Sequence, residues 1–501
     1  MNLFDQLEIR TKIQPSHSAI EWNSGTLSYG KFLNIANSIG CALYKKFRLK
    51  KGDKVALVME NTFVFLPILF GIWKAGMVAV PINSRLHKRE LSWIFTNSDT
   101  KLIFCSKNKA SDINTNCPVI VNFSKEFQKL TKYEDSQKIK TDITDSAWIF
   151  YTSGTTGKPK GAELTHRNLF YMSLSYYADI DSISETDIRI HAAPMTHGSG
   201  IYSLPFILKG AGNYICQSNF EPDEIFEQIK SKNDISIFAA PSMVKQLFSH
   251  SLASSDLSGL KTLEFGGAPM YLTDTKKALE VFGNSLYQLY GQGEAPMTIT
   301  NITKAMYSDT TKSYYDNLLK SAGVARTGCK IAIVNSNWEH LPDGEVGEII
   351  TKSDCIMKGY YKNRHASKEA LRDGWLLTGD LGSIDKNGLL TIKDRSKDMI
   401  ISGGMNVYPR EVEDILLIHQ DIYEVAVIGL KDKKWGELIV AVVVLNKENS
   451  CIERELDTLC LENLARFKRP KKYFFKYNLP KNNYGKIIKK DLREEFKKHT
   501  C

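Results

Sequence analysis

The sequence lacks any Cys-x-x-Cys pair and any cluster of His and Cys at metal-ligand spacing. Its nine cysteines are scattered through 501 residues. This argues against a disulfide framework and a structural zinc site, and it fits a reducing compartment. Long apolar runs are also missing. The longest, Phe63 to Trp73, is far short of the about 20 residues a membrane span needs and reads as a buried helix. Met1 to Trp22 carries charge throughout and has no apolar stretch ahead of a small-residue cleavage site. No signal peptide or transmembrane segment is expected, and a cytoplasmic location is. There are no low-complexity segments and no internal repeats.

Charge of one sign is concentrated near the end. Arg466 to Lys498 holds 13 Lys and Arg against Asp491, Glu494 and Glu495, which by itself accounts for the net charge of +10. Such a segment can meet a phosphorylated small molecule or simply form a solvated surface. No nucleic-acid-binding motif accompanies it, so nucleic acid is not expected as a partner.

A chain of 501 residues is too long for one compact core, so several domains are expected. From about Lys54 to Gly291, short apolar runs alternate with amphipathic stretches. The runs include Val55–Met59, Leu102–Cys105, Trp148–Tyr151, Ile188–Ala192, Tyr214–Cys216, Ile235–Ala239, Thr262–Phe265 and Leu286–Tyr290. Alternating strands and helices predict an α/β fold of helix-covered parallel sheets, with ligands at the C-terminal ends of strands. From about 323 to 394, β-like runs are broken by Asp343-Gly344, Asp373-Gly374 and Asn387-Gly388, which predicts a small β-rich subdomain. Beyond lies an α+β tail, with helices near Arg410–Leu417 and Ile452–Leu464 and strands at Val425–Ile428 and Ile439–Leu445. The expected domains are 1–395 and 396–501.

The most informative stretch follows an apolar strand: Tyr151-Thr152-Ser153-Gly154-Thr155-Thr156-Gly157-Lys158-Pro159-Lys160-Gly161. Three glycines let backbone N–H groups turn inward, and four hydroxyls and two lysines add donors, a composition suited to holding a polyphosphate. It is not a Walker A loop, because Thr152 and Pro159 stand where that loop needs Gly and Ser/Thr. A dinucleotide reading of Gly198-Ser199-Gly200-Ile201-Tyr202-Ser203 also fails, since the stretch ends in Ser and lacks a suitably spaced acid.

The 151–161 loop resembles the signature loop of the adenylate-forming superfamily, in its acyl-CoA synthetase branch. Further segments match in the same order: Ala193-Pro194-Met195-Thr196-His197-Gly198, Gly266-Gly267-Ala268-Pro269, Tyr290-Gly291-Gln292-Gly293-Glu294, Thr378-Gly379-Asp380, Asp394-Arg395-Ser396-Lys397-Asp398, Gly403-Gly404-Met405-Asn406 and Asn483-Tyr484-Gly485-Lys486. The similarity spans nearly the whole chain. It implies a large N-terminal domain and a small mobile C-terminal domain that rotates between two half-reactions.

The resemblance also implies roles. Lys486 would bridge the carboxylate and the α-phosphate, where a cation offsets charge building up at phosphorus. Glu294, helped by Thr152, would hold Mg2+, which favours hard oxygen ligands. Ser153, Gly154, Thr155, Thr156, Gly157, Lys158 and Lys160 would meet the ATP phosphates. Asp380 would hold the ribose hydroxyls with help from Arg395. Tyr290 would stack on adenine, with Gly266, Gly267, Ala268, Gly291 and Gln292 around it. His197 would lie by the acyl carboxylate and Lys397 at the hinge. Ser402, Gly403 and Gly404 would line the path of coenzyme A. The pattern departs at Gly293, where the family usually has Ser or Thr.

The expected reaction is ATP-dependent activation of a carboxylic acid as acyl-AMP, then transfer to coenzyme A. No acid occurs between Met195 and Ile201, so a substrate ammonium would lack a partner there. Gly198, Ser199, Gly200 and Tyr202 instead suggest an apolar pocket. A fatty acid is expected, with an aromatic acid as the other option. An acyl carrier protein as acceptor and a homodimer remain open, as does a non-catalytic nucleotide-binding role, against which Lys486, Glu294 and Asp380 speak.

Overall fold

The computed structural model describes residues 2–134, 139–152, 158–216, 220–268, 270–395, 398–446, 453–481 and 487–497. Among the described residues the strands form four sheets. In the seven-stranded sheet, Ser146–Thr152, Val78–Ile82, Lys54–Val58, Thr100–Cys105 and Val119–Val121 run parallel. Lys160–Thr165 and Gly359–Tyr360 extend one side in antiparallel pairing. The nine-stranded sheet has a parallel centre of Ile188–His191, Gly212–Ile215, Ile235–Ala239, Leu260–Phe265 and Leu286–Gln292. All eight apolar runs singled out in the sequence form these strands.

Strands buried on both faces favour apolar residues at successive positions, which explains the continuous run Val55–Val58, while the nine-stranded sheet buries Arg189 and Glu264 as an ion pair. In Lys54–Val58, Val55 and Leu57 enter one core while Ala56 and Val58 enter another. The first core lies between the two large sheets. It holds all the apolar side chains of the helix Phe65–Lys74, together with Trp148 from one sheet and Tyr287, Leu289 and Ile299 from the other. The Phe63–Trp73 run is thus the expected buried helix. A separate core backs the other face of the nine-stranded sheet, against the helices Pro222–Ser231, Pro241–Phe248 and Leu272–Phe282.

A third, antiparallel sheet of Lys330–Val334, Gly347–Lys352, Leu371–Arg372, Trp375–Ile384 and Leu390–Arg395 occupies the segment expected to be β-rich. The fourth sheet pairs Ile422–Asp432 with Gly436–Leu445 and carries the helices Pro409–Leu416 and Glu453–Asn463. It rests on the rest of the molecule through Arg410, whose guanidinium donates to Met270 O at 3.1 Å and lies over the Tyr271 ring. Beneath that contact, Lys489 Nζ lies 2.8 Å from Glu413 and 4.0 Å from Asp394. Burial opposes the charge on Lys489, yet these two carboxylates raise it above the ordinary lysine range.

Among the described residues no helix is long and apolar enough to cross a membrane, and the seven described cysteines are free thiols.

Candidate active site

The strand Ser146–Thr152 alternates. Ile149 and Tyr151 point into the core on its outer face, while Trp148 and Phe150 face the core between the two large sheets. Thr152 shares that inner face by the two-residue period and ends the strand at its C-terminal edge, where ligands of parallel sheets bind. There its hydroxyl donates to Glu294 Oε1 at 3.1 Å. Glu294 is buried in the turn between Leu286–Gln292 and Ala295–Ile302. The Tyr360 hydroxyl reaches the same oxygen at 2.8 Å, and Lys160 Nζ lies 5.2 Å from the centre of the Tyr360 ring. One carboxylate thus gathers hydroxyls from two segments distant in sequence. Lys158 rests on Trp93, its Nζ 4.5 Å from the ring centre. Residues 153–157 of the loop lie outside the described residues.

A second carboxylate anchors the neighbouring part of the cleft. Asp380 Oδ2 accepts from the Tyr290 hydroxyl and from Gln292 Nε2, each at 2.7 Å, and Arg395 Nε stands 3.4 Å from Oδ1. Gln292 Nε2 also donates to Thr378 O at 2.8 Å, which ties the nine-stranded sheet to the third. Burial and then the Asp380 charge push the Tyr290 phenol well above its ordinary range, so it stays a donor. With three donors already around it, Asp380 keeps open acceptor capacity mainly at Oδ1. Gly266 packs so closely on the next strand that a Cβ there would stand 2.7 Å from Leu289 O. Gly267 and Ala268 follow it at the cleft edge, and Gly291 abuts the backbone of Met297.

His197 follows the buried strand Ile188–His191 by way of a turn strapped by Asn61. The Asn61 amide donates to His191 O and Ala193 O and accepts from Met195 N at 2.8 Å. The imidazole contacts Thr196 Oγ1 at 3.1 Å and meets the Phe150 ring edge-on, with centroids 4.8 Å apart. Loss of hydration pushes its pKa down to about 3, so the ring is neutral near pH 7. The apolar pocket expected beyond it is only partly made by the residues named. Gly198 faces Phe238 and Met297, but Ser199 turns to His191 Nδ1 at 2.9 Å. Gly200 is pressed against Met195 O, and Tyr202 is wholly buried edge-on to Phe238.

Ser402, Gly403 and Gly404 form a hairpin turn within the fourth sheet. Gly403 N donates to Trp435 O at 2.7 Å, and Ser402 pairs with Gly436. These contacts lie within the fourth sheet and its adjoining turn, not with Glu294 or Asp380. Ile401, Met405 and Trp435 are exposed beside the turn. Lys397 and Lys486 lie outside the described residues. Tyr360, Phe150 and Asn61 had no sequence signal, because each acts on a partner far along the chain.

The arrangement has groups able to hold a nucleotide. Asp380 and Arg395 can take a polyol, and the lysines of the 151–161 segment can take phosphates. Among the described residues no group of three or more His, Cys, Asp or Glu gathers into a metal cage. Glu294 with the Thr152 hydroxyl offers hard oxygens for a cation completed by phosphate oxygens and water, which fits Mg2+.

Two family models match the chain: AMP-binding enzyme over residues 7–361, and AMP-binding enzyme C-terminal domain over residues 411–486. The chain belongs to the AMP-binding enzyme family. Among curated relatives, it is 31% identical to a feruloyl-CoA synthase from Amycolatopsis sp, covering 97% of both chains. It is 32% identical to the long-chain-fatty-acid–CoA ligase FadD13 of Mycobacterium tuberculosis, covering 94% of this chain and 93% of that one. Among solved structures, ATP-bound MatB from Rhodopseudomonas palustris superposes with a TM-score of 0.91, at 28% identity over 99% of both chains. Apo MatB, at the same identity and coverage, gives 0.78. This AMP-binding enzyme thus superposes better on ATP-bound MatB than on apo MatB.

Proposed function

We propose that the chain is an ATP-dependent, AMP-forming acid–CoA ligase of the cytoplasm. A carboxylate attacks the α-phosphorus of ATP, the bond to the leaving pyrophosphate breaks, and acyl-AMP forms. The thiol of coenzyme A then attacks the acyl carbon, and AMP leaves with its phosphate oxygen. The observation that carries the reading is a pair of buried carboxylates, Glu294 in the turn after a strand end with Thr152 and Tyr360, and Asp380 within the third sheet with Tyr290, Gln292 and Arg395.

In this reading Glu294 and Thr152 hold Mg2+, whose charge screens the phosphates. Ser153, Gly154, Thr155, Thr156, Gly157, Lys158 and Lys160 bind the phosphates. Asp380 through Oδ1, with Arg395, takes the ribose. Tyr290, Gly266, Gly267, Ala268, Gly291 and Gln292 frame the adenine. His197, neutral, can accept or donate one hydrogen bond beside the acid carboxylate without fixing it as an ion pair. Lys486 supplies the cation at the reacting centre. The chain divides into 1–395 and 396–501, with Lys397 as the pivot. After adenylation the small domain turns, withdraws Lys486 and brings Ser402, Gly403 and Gly404 to the thiol path.

The acid is a fatty or aromatic one without an α-amino group. The curated relatives span both kinds, and no acid lies between Met195 and Ile201. An acyl carrier protein as acceptor is the second reading, supported by the similarity to a fatty acid–[acyl-carrier-protein] ligase, ScoC, of Streptomyces coeruleorubidus. The test is pyrophosphate release over a panel of straight-chain, hydroxycinnamic and α-amino acids, with and without free coenzyme A. Acid-dependent release and a CoA thioester are expected. Turnover of alanine or phenylalanine would refute the substrate class, and acyl-AMP without thioester would favour the carrier protein.

A further inference from the structure

Beside the Thr152–Glu294 pair, an aromatic ring fills space that no motif marks. Phe150 precedes Thr152 by two residues on the same strand face, half-buried between the large sheets. One flank of its ring meets the His197 imidazole edge-on, at 4.8 Å and 80°. The same ring lies against Gly293. A Cβ built on Gly293 would stand 2.6 Å from Phe150 Cδ1, 3.0 Å from Cε1 and 2.5 Å from Thr152 Cγ2. Gly293 is not among the residues with positive φ, so its backbone conformation is open to any residue. Space, not dihedral preference, keeps the position a glycine. The ring is also held by its contact with His197, which limits how far it can turn.

Glycine at 293 is therefore one packing choice set by the Phe150 ring together with the Thr152 methyl. We propose that Phe150 is a positioning and specificity-determining residue: its ring takes the volume a side chain at 293 would need, holds His197 in place, and closes the site to acids branched at the α-carbon. The inference rests on the reading that His197 lies beside the acid carboxylate. The α-carbon is one bond from that carboxylate, so a wall flanking His197 also limits what the α-carbon can carry. The flat face of the ring suits unbranched and planar acids.

The test uses the full chain with Phe150→Ala, Phe150→Leu, Gly293→Ser and the double change Phe150→Ala/Gly293→Ser. Phe150→Leu keeps apolar volume in case the alanine variant folds poorly. The probes are hexanoate, 2-methylhexanoate, cinnamate and α-methylcinnamate, read by pyrophosphate release, with melting temperature and the ring resonances of His197 measured on the same samples. Overpacking should lower both the melting temperature and, by about tenfold or more, the rate of Gly293→Ser. The double variant should regain much of both. Phe150→Ala should raise the branched-to-unbranched rate ratio about tenfold, raise KM for the acid but not for ATP, and shift the His197 resonances.

A Gly293→Ser variant that melts and turns over like the parent would overturn the proposal. So would a double variant no better than Gly293→Ser, or a Phe150→Ala variant with unchanged selectivity and unchanged His197 signals. If the parent activated none of the four acids, the ligase reading would fall. The melting cycle and the His197 signals would then still decide whether Phe150, Gly293 and His197 form one unit.

Discussion

Acidification from pH 7 to pH 5 should destabilise this protein through histidines that its core keeps neutral. His191 is wholly buried, with Nδ1 2.9 Å from Ser199 Oγ and Nε2 3.0 Å from Asn213 Oδ1. His166 lies edge-on to Trp73 with Nδ1 unpartnered among the described residues. Burial pushes their pKa values down to about 3 and about 4. The unfolded chain takes up a proton on each ring near pH 6.5, whereas the folded chain does not. Between those values the unfolded state binds more protons, so stability is full above pH 6.5 and is lost as pH falls toward 4. Each pH unit below 6.5 removes about 1.4 kcal/mol per ring, so at pH 5 each histidine costs about 2 kcal/mol. Carboxylates raised by burial, such as Asp394 and Asp414, act in the opposite sense. The informative quantity is therefore a difference. Urea unfolding of the parent and of His191→Gln is measured at pH 7 and pH 5. The parent should lose about 2 kcal/mol more than the variant over that interval. Equal losses would refute the claim that His191 is held neutral.

Four further outcomes are expected. Glu294→Gln should lower adenylation at least 100-fold and weaken the dependence on Mg2+, while Tyr360→Phe, which removes one hydrogen bond of about 1 kcal/mol, should cost only about fivefold; pyrophosphate-release rates over a Mg2+ titration check both. Asp380→Asn should raise KM for ATP by about 10- to 100-fold, corresponding to charged hydrogen bonds of about 1.5–3 kcal/mol, and leave KM for the acid alone; an unchanged ATP titration would remove Asp380 from the nucleotide site. Lys489→Met leaves Glu413 and Asp394 as buried carboxylates without their cation and should cost about 3 kcal/mol or more in urea unfolding. Lys486→Ala should slow acyl-AMP formation by about 100-fold or more and spare thioester formation from acyl-AMP supplied ready-made; equal loss in both half-reactions would refute its role.

Much of the architecture could be read from local pattern. Continuous apolar runs such as Val55–Val58 became strands because parallel sheets covered on both faces favour apolar residues at successive positions. The Asp-Gly and Asn-Gly turns marked the antiparallel third sheet for an equally local reason. Ala295–Ile302 was harder to read. It carries Thr298, Thr300 and Asn301, yet all eight residues are buried, because strands on both sides satisfy its backbone and Thr300 donates to Ala322 O. The apolar pocket was only half legible. Gly198 faces Phe238 and Met297, but Ser199 and Gly200 are used by the turn itself.

By itself the sequence determined the order of the motifs, the phosphate-suited loop, the absence of an acid after His197 and membership of the AMP-binding enzymes. These depend on residue type and short spacing, which a linear chain displays. Only the tertiary structure decided which side chains share an oxygen. Thr152 meets Glu294 across 142 positions, and Tyr360 meets it across 66. It also decided that Gly293 is a matter of space, because the ring of Phe150 is brought there by a neighbouring sheet and not by neighbouring sequence. Contacts of this kind exist only once separate strand ends have been packed against one core, so no local pattern of residues encodes them.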